Sequence, residues 1–234
     1  MAISNILKLF GGSSRSDNSA SSGNCAKNVS GSQTKKISDD QEASGVVING
    51  IRWATCNVAA PGVFADKPED AGMFYQWNRK KAWSATGKVT GWDNSMPRGH
   101  GWKKGDDFNG SLSGEWKKAN DPSPAGWRLP EAEEFDKLFD ERKVKSEWTT
   151  VNKVYGRKFT DKATGNSIFL PAAGIRRGPS GICKDAGSNG YYWSKWNWIF
   201  QPFGSVIGRE NETQHYDYYY CGAVGCSCRC VADL

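Results

Sequence analysis

From Val46 onward the chain sets apolar and polar positions in short alternating runs, broken every few residues by Gly, Pro, Asn or Asp. "GVVINGIRWATCNV" pivots on Asn49-Gly50, a pair that tolerates two positive φ angles, and predicts two strands joined by a tight turn. "GRKFTD", "NSIFLPAAG", "GYYWS" and "CSCRCVADL" predict further short strands, the second ended by Pro171 and Gly174. One stretch has the helical period instead. After Pro130, which suits an initial helical position, "EAEEFDKLFDERK" crowds acids into the first turn and aligns Phe135, Leu138 and Phe139 as a buried stripe. A helical turn is expected within "EDAGMFYQW" and "RKKAW", and the Gly-, Trp- and Asn-rich stretch from Thr86 to Asp121 reads as mostly irregular. The pattern predicts an α+β fold of many short antiparallel strands, one clear helix and extensive irregular loops.

The first 45 residues depart from this texture. They hold 11 Ser and 5 Gly, no Trp or Tyr and a single Phe10, too little apolar surface to fold alone. Residues 1–45 are therefore expected to form a flexible tether, and residues 46–234 a single domain. Within the tether "ISNILKLF" could make one short amphipathic turn through Ile3, Ile6, Leu7, Leu9 and Phe10. It is either a frayed end or a docking or oligomerisation peptide. The N-terminus lacks the apolar core and small-residue cleavage pattern of a secretory signal, and no run approaches the length that spans a bilayer, so no membrane insertion is expected.

Charge narrows the classes of partner. The net +6 is spread through the middle, where 23 Lys and Arg mix with 17 Asp and Glu over residues 46–190, without a basic stripe that would track phosphates. No nucleic-acid partner is expected. Seven scattered cysteines resemble reduced thiols more than a secreted disulfide framework. Only His100 and His215 are available as histidines, neither in a nucleophile or zinc-protease motif, and the acids Glu131, Glu133 and Glu134 suit a helix start. An enzyme is not expected, nor a cofactor.

"INGIRWATCNV", "AGMFYQWNRKKAW", "NDPSPAGWRLP", "GRKFTD", "ATGNSIFLPAAGIR", "GYYWS" and the closing "RCVAD" resemble, in order, the Fibrobacter succinogenes major paralogous domain over residues 46–234. This group, common in Bacteroidetes, is related to the formylglycine-generating-enzyme branch of the C-type lectin fold. The resemblance implies a C-type-lectin-like domain. Several proteins of that fold are variable proteins of diversity-generating retroelements, whose C-terminal segment is rewritten by adenine-directed mutagenesis to bind new ligands. Here the segment from about 195 to 228 lies between two stretches that keep the family's wording. Lys195, Trp196, Trp198, Gln201, Glu210, Glu212 and Gln214 are residues that randomised Asn codons with a fixed third pyrimidine do not produce. The redox-active cysteine pair of the formylglycine-generating relatives has no counterpart close in sequence outside the tail. The lectins' calcium loop is also missing, since "QPF" at Gln201–Phe203 has no acidic third residue and "WNW" at Trp196–Trp198 lacks the usual Asp.

The tail concentrates the candidate chemistry: 11 aromatic residues fall between Tyr191 and Tyr220, including six of the chain's eight tyrosines. Large rings give contact area at little rotamer cost, as in paratopes. Tyr191, Tyr192 and Trp193 are expected in the core. The candidate ligand-binding residues are Trp196, Trp198, Phe200, Phe203, Arg209, Asn211, His215, Tyr216, Asp217, Tyr218 and Tyr220, with rings as anchors and Arg209 and Asp217 setting orientation and charge selectivity. Three readings of Cys226, Cys228 and Cys230 stand: core thiols, a disulfide to Cys221 or Cys183, or zinc with His215. The expected function is recognition of a protein or glycan on a target surface by a phage tail tip or a component made without a secretion signal. A metal-independent carbohydrate-binding domain and a zinc or redox protein are the alternatives.

Overall fold

The chain enters its fold through the hairpin expected at Asn49-Gly50, both of which take positive φ (45° and 80°). A computed structural model describes residues 45–94, 116–198, 201–208, 213–217 and 224–233. The expected tether and its "ISNILKLF" segment lie outside those residues. Strands β1 (Gly45–Ile48) and β2 (Ile51–Asn57) pair antiparallel with Ile48 opposite Ile51. Beyond them the order is β3 (Met73–Gln76), β4 (Ala82–Ser84), a 3-10 turn (Lys118–Asn120), β5 (Trp127–Arg128), α1 (Ala132–Phe139), β6 (Val144–Val151), β7 (Val154–Asp161), β8 (Ser167–Pro171), β9 (Ile175–Arg177) and β10 (Ile182–Lys184). The C-terminal part holds β11 (Asn189–Trp198), β12 (Gln201–Gly208), β13 (Thr213–Asp217), β14 (Gly225–Cys226) and β15 (Arg229–Ala232).

The strands form four antiparallel sheets, ordered β1-β2-β15-β5, β10-β9-β14-β3-β4, β11-β12-β13 and β6-β7-β8. With one α-helix among the described residues, the fold is α+β, as expected. No helix in it is long and apolar enough to cross a membrane among the described residues.

Two apolar clusters share the central strands. Ala54 and Cys56 of β2 belong to the first, with Tyr75, Trp77, Trp116, Trp193 and Cys230; Trp53 of the same strand belongs to the second, with Phe135, Phe159, Tyr192, Ile207 and Val231. Successive side chains of a strand point to opposite faces, so β2, β15 and the Tyr191–Trp193 part of β11 are buried on both sides. That accounts for "RWATC" and "YYW" reading as nearly continuous apolar text. Among the described residues two arginines are fully enclosed, and neither has a described carboxylate bound to it. Arg229 donates to Asn57 Oδ1 (2.9 Å) and to the carbonyls of Ala54 (3.1 Å), Thr55 (2.7 Å) and Phe169 (3.1 Å). Arg176 donates to those of Ser84, Gly181, Thr86 and Gly87.

Several expectations are corrected. No helical turn occupies "GMFYQW" and "KKAW": Met73 pairs with Ser84 and Tyr75 with Ala82, making β3 and β4 a hairpin that buries Phe74, Tyr75 and Trp83. The helix stops at Phe139, short of Lys143, and Pro130 precedes its N-cap, Glu131. Glu134 explains the start: its Oε2 accepts the Glu131 N–H at 2.8 Å while both its oxygens take Arg128 (2.7 and 2.8 Å). The stripe holds, with Phe135 and Leu138 buried and Phe135 5.1 Å from Trp53. Strand β6, "VKSEWTTV", was not anticipated, and "CSCRCVADL" splits into two strands of different sheets.

Candidate ligand-binding hairpins

The candidate residues follow a strand rooted in both clusters. Tyr191 and Trp193 enter the first cluster and Tyr192 the second, so all three are core, as expected. Trp193 packs 5.4 Å from Trp77 and 5.9 Å from Trp116, which are 5.0 Å from each other, and donates Nε1–H to Tyr75 O at 2.7 Å. Tyr192 donates its hydroxyl to Pro171 O (2.6 Å), and burial pushes its phenol up to about 12. Lys195 closes the root: its N–H donates to Pro130 O (2.7 Å) and its carbonyl accepts Trp116 N–H (2.9 Å). Its Nζ lies 3.5 Å from Glu131 Oε1. Burial raises the Glu131 carboxyl above its usual range, outweighing Lys195 and Arg128.

Beyond this root the tail continues as strands, a regularity its sequence did not announce. β11 and β12 pair from Asn189–Gly208 to Trp193–Gly204, shift register, and pair again at Asn197–Pro202 and Trp198–Gln201. β13 adds antiparallel to β12, setting Phe203 opposite Asp217, Gly204 opposite Tyr216, Ser205 opposite His215 and Ile207 opposite Thr213. Trp196 and Trp198 thus stand at the end of β11, Phe203 on β12, and His215, Tyr216 and Asp217 on β13. Phe200, Arg209, Asn211, Tyr218 and Tyr220 lie outside the described residues. Phe203, His215 and Asp217 share the register parity of buried Ile207, whereas Tyr216 takes the parity of Trp193. His215 and Asp217 of β13 therefore take one register parity and Tyr216 the other.

The chain returns at Val224 into the core beside the point where it left. Ser227 N–H donates to Tyr191 O (2.9 Å) and Ser227 O accepts Trp193 N–H (3.0 Å). These two bonds pin the ends of the roughly 30-residue excursion together. From there β14 joins β3 and β9 in one sheet and β15 joins β2 and β5 in another, so eight residues serve two sheets and, through the Tyr192–Ser227 bridge, touch β11 of a third.

The cysteines of this return are core thiols. Cys226, Cys228 and Cys230 are fully buried, and all three belong to the first cluster. Burial is the largest cause raising the Cys228 and Cys230 thiols, the latter up to about 12. Cys230 approaches Ser123 Oγ at 3.1 Å. Among the described residues no three His, Cys, Asp or Glu side chains gather as metal ligands. Cys221 lies outside the described residues, and the side chain of His215 is not described.

Pro130, Glu131, Trp116 and Ser227 hold the root, although nothing in their sequence surroundings marks them as site residues. Each meets β11 from a distant part of the sequence, and no local pattern announces such a meeting. Compared with the known protein families, with curated proteins and with solved structures, the chain matches none.

Proposed function

We propose that this chain is a non-enzymatic ligand-binding protein, a C-type-lectin-like frame that presents a diversified C-terminal surface to a protein or glycan on a target. On this reading it is the variable protein of a diversity-generating retroelement, of the kind carried by a phage tail tip. The observation that carries the reading is the pinning of Tyr191 and Trp193 to Ser227. A segment whose two ends are bonded to each other, and whose flanks are buried in two cores, can change its residues while the frame keeps its geometry. Binding then costs little ordering of the frame. Trp196, Trp198, Phe200, Phe203, Tyr216, Tyr218 and Tyr220 supply anchoring rings, and Arg209, Asn211, His215 and Asp217 supply direction and charge.

Deep sequencing of the gene in a population of its source tests this. Adenine-derived changes confined to codons between about 195 and 228, beside a reverse-transcriptase gene and a near-repeat of the tail, are the expected result. A uniform tail without such neighbours overturns the diversification reading.

A further inference from the structure

The hairpin of β6 and β7 carries an aromatic stack that the cores do not use. Among the described residues, Trp148 and Tyr155 belong neither to those two clusters nor to a smaller one around Phe74, Trp83, Ala85 and Ala173. Their rings lie almost parallel, 14° apart with centroids 6.4 Å apart, and the Arg157 guanidinium carbon is 6.0 Å from the Trp148 ring. The strand register explains the order: Trp148 faces Arg157 and Thr150 faces Tyr155, neighbouring pairs on one face of the sheet. Arg157 is itself buried and anchored by Nη1–H to Ser146 Oγ at 2.9 Å. The stack therefore runs outward from a fixed cation through a half-buried indole to a phenol that is 50% exposed.

We propose that Tyr155 is the platform of a carbohydrate subsite, on which one face of a pyranose ring stacks. Trp148 holds the phenol in place, so little freedom remains to be lost on binding. The electron-rich face of the phenol suits the weakly positive C–H bonds that a pyranose presents on one side. A sugar's hydroxyls lie around its edge, and the edge of this platform is polar: Thr150 and Lys153 are exposed beside it, as is the loop of residues 186–188. That loop comes close enough that a Cβ on Gly187 would sit 4.0 Å from Tyr155 Cδ2. A protein partner is disfavoured by size, since a stable protein interface needs about 800 Å² on each side and this is one ring. The subsite is separate from β11–β13 and stands or falls without the diversification reading.

The test uses the whole protein with a panel of methyl pyranosides and their β-linked disaccharides, read by saturation-transfer NMR and by Trp fluorescence. At least one sugar is expected to bind with Kd of about 1 mM or tighter, and Tyr155→Ala to weaken it about tenfold or more. Tyr155→Phe, which keeps the ring, should stay within about twofold of the parent. Melting should be unchanged in both, because Tyr155 lies outside the cores. Failure of every sugar to bind overturns the proposal, as does a Tyr155→Ala variant that binds like the parent. Stronger binding of adenosine monophosphate or tyrosinamide than of any sugar overturns it too. A sugar lost on Tyr216→Ser but retained on Tyr155→Ala would place recognition on β13 and sink the platform while sparing the tail.

Discussion

Trp193 and Ser227 are bonded through their backbones, Trp193 N–H to Ser227 O at 3.0 Å, across 34 positions of sequence. Ser227 returns a second bond to Tyr191. The junction is parallel, an isolated bridge at Tyr192 and Ser227 rather than part of a longer ladder. Its strength comes from the burial of Trp193, Cys226 and Cys228 around it.

Ser227 itself separates backbone from side chain. Its Oγ is buried and finds no acceptor or donor among the described residues. Removing an orphaned hydroxyl relieves a desolvation cost of about 1 kcal/mol, so Ser227→Ala should hold or raise stability. Ser227→Pro removes the N–H that binds Tyr191 O and should cost about 3 kcal/mol or more. Urea denaturation of the two variants checks the pair. Equal losses would show that the junction does not depend on the Ser227 N–H.

How much of this could be read beforehand depended on whether the determining contact is local. Asn49-Gly50 declared its hairpin because the turn's φ requirement is written in the turn. Asn152-Lys153 makes a comparable turn with φ of 47° and 70°, but Lys is a poor carrier of positive φ and the strand before it mixes Lys, Glu and Thr, so β6 was missed. "MFYQW" looked helical because strands buried on both faces lose period-2 alternation. The split between β14 and β15 is set by which sheets lie nearby, and spacing along the chain carries no such information. At the candidate site the rooted end, Tyr191 to Trp193, was legible as apolar text. The strands beyond it were not, because rings and polar residues mix there without period.

Arg229 should be among the least replaceable side chains. Its guanidinium is fully buried and satisfies four acceptors on β2 and β8. Burial lowers its pKa, which still leaves an arginine charged at neutral pH. Arg229→Met would leave buried acceptors unpaired at about 1–3 kcal/mol each, enough to unfold a domain of ordinary stability. Arg229→Lys can reach only some of them and should rescue in part. Circular dichroism melts of the two variants decide; a Met variant that folds like the parent refutes the assignment.

The buried thiols should be silent in the folded protein. Cys56, Cys226, Cys228 and Cys230 are all enclosed, with raised pKa where a shift is resolved, so the reactive thiolate is scarce and unreachable. Mass spectrometry after a pulse of iodoacetamide at pH 8 should find these four unmodified in native protein and modified in guanidinium. Chelator should leave the melting temperature unchanged. A drop on chelation, with zinc released, would restore the metal reading.

Two carboxyls should shape the pH profile with opposite signs. Asp161 accepts N–H bonds from Asn49 (2.7 Å), Ala163 (2.8 Å) and Thr164 (3.0 Å), which hold it below the usual range. Its stabilisation is complete above the unfolded value of about 3.9 and lost as pH falls through the folded one. Glu131, raised by burial, acts the other way: its ionisation weakens the fold as pH rises from the unfolded value of about 4.3 through its folded one. Asp161→Asn should flatten the acid limb, and Glu131→Gln should flatten the decline just above it. Stability measured by urea from pH 3 to 7 would reject these signs if either variant steepened its limb.

The last expectation contrasts root and tail. Trp193 lies fully buried within a triangle of indoles and donates to Tyr75 O, so Trp193→Ala should cost about 3–5 kcal/mol through lost transfer energy and an unfilled cavity. On the proposed reading, the joint replacement of Trp196, Phe203, His215, Tyr216 and Asp217 by Ser should cost less than that single change, because a surface selected to vary cannot also hold the frame. The division of these residues between two register parities sharpens the test. If Phe203, His215 and Asp217, which share the parity of Ile207, prove as costly as Trp193, they belong to the frame. The recognising surface would then be confined to Tyr216 and the turns between the strands. Denaturation midpoints of the single and joint variants distinguish these outcomes directly.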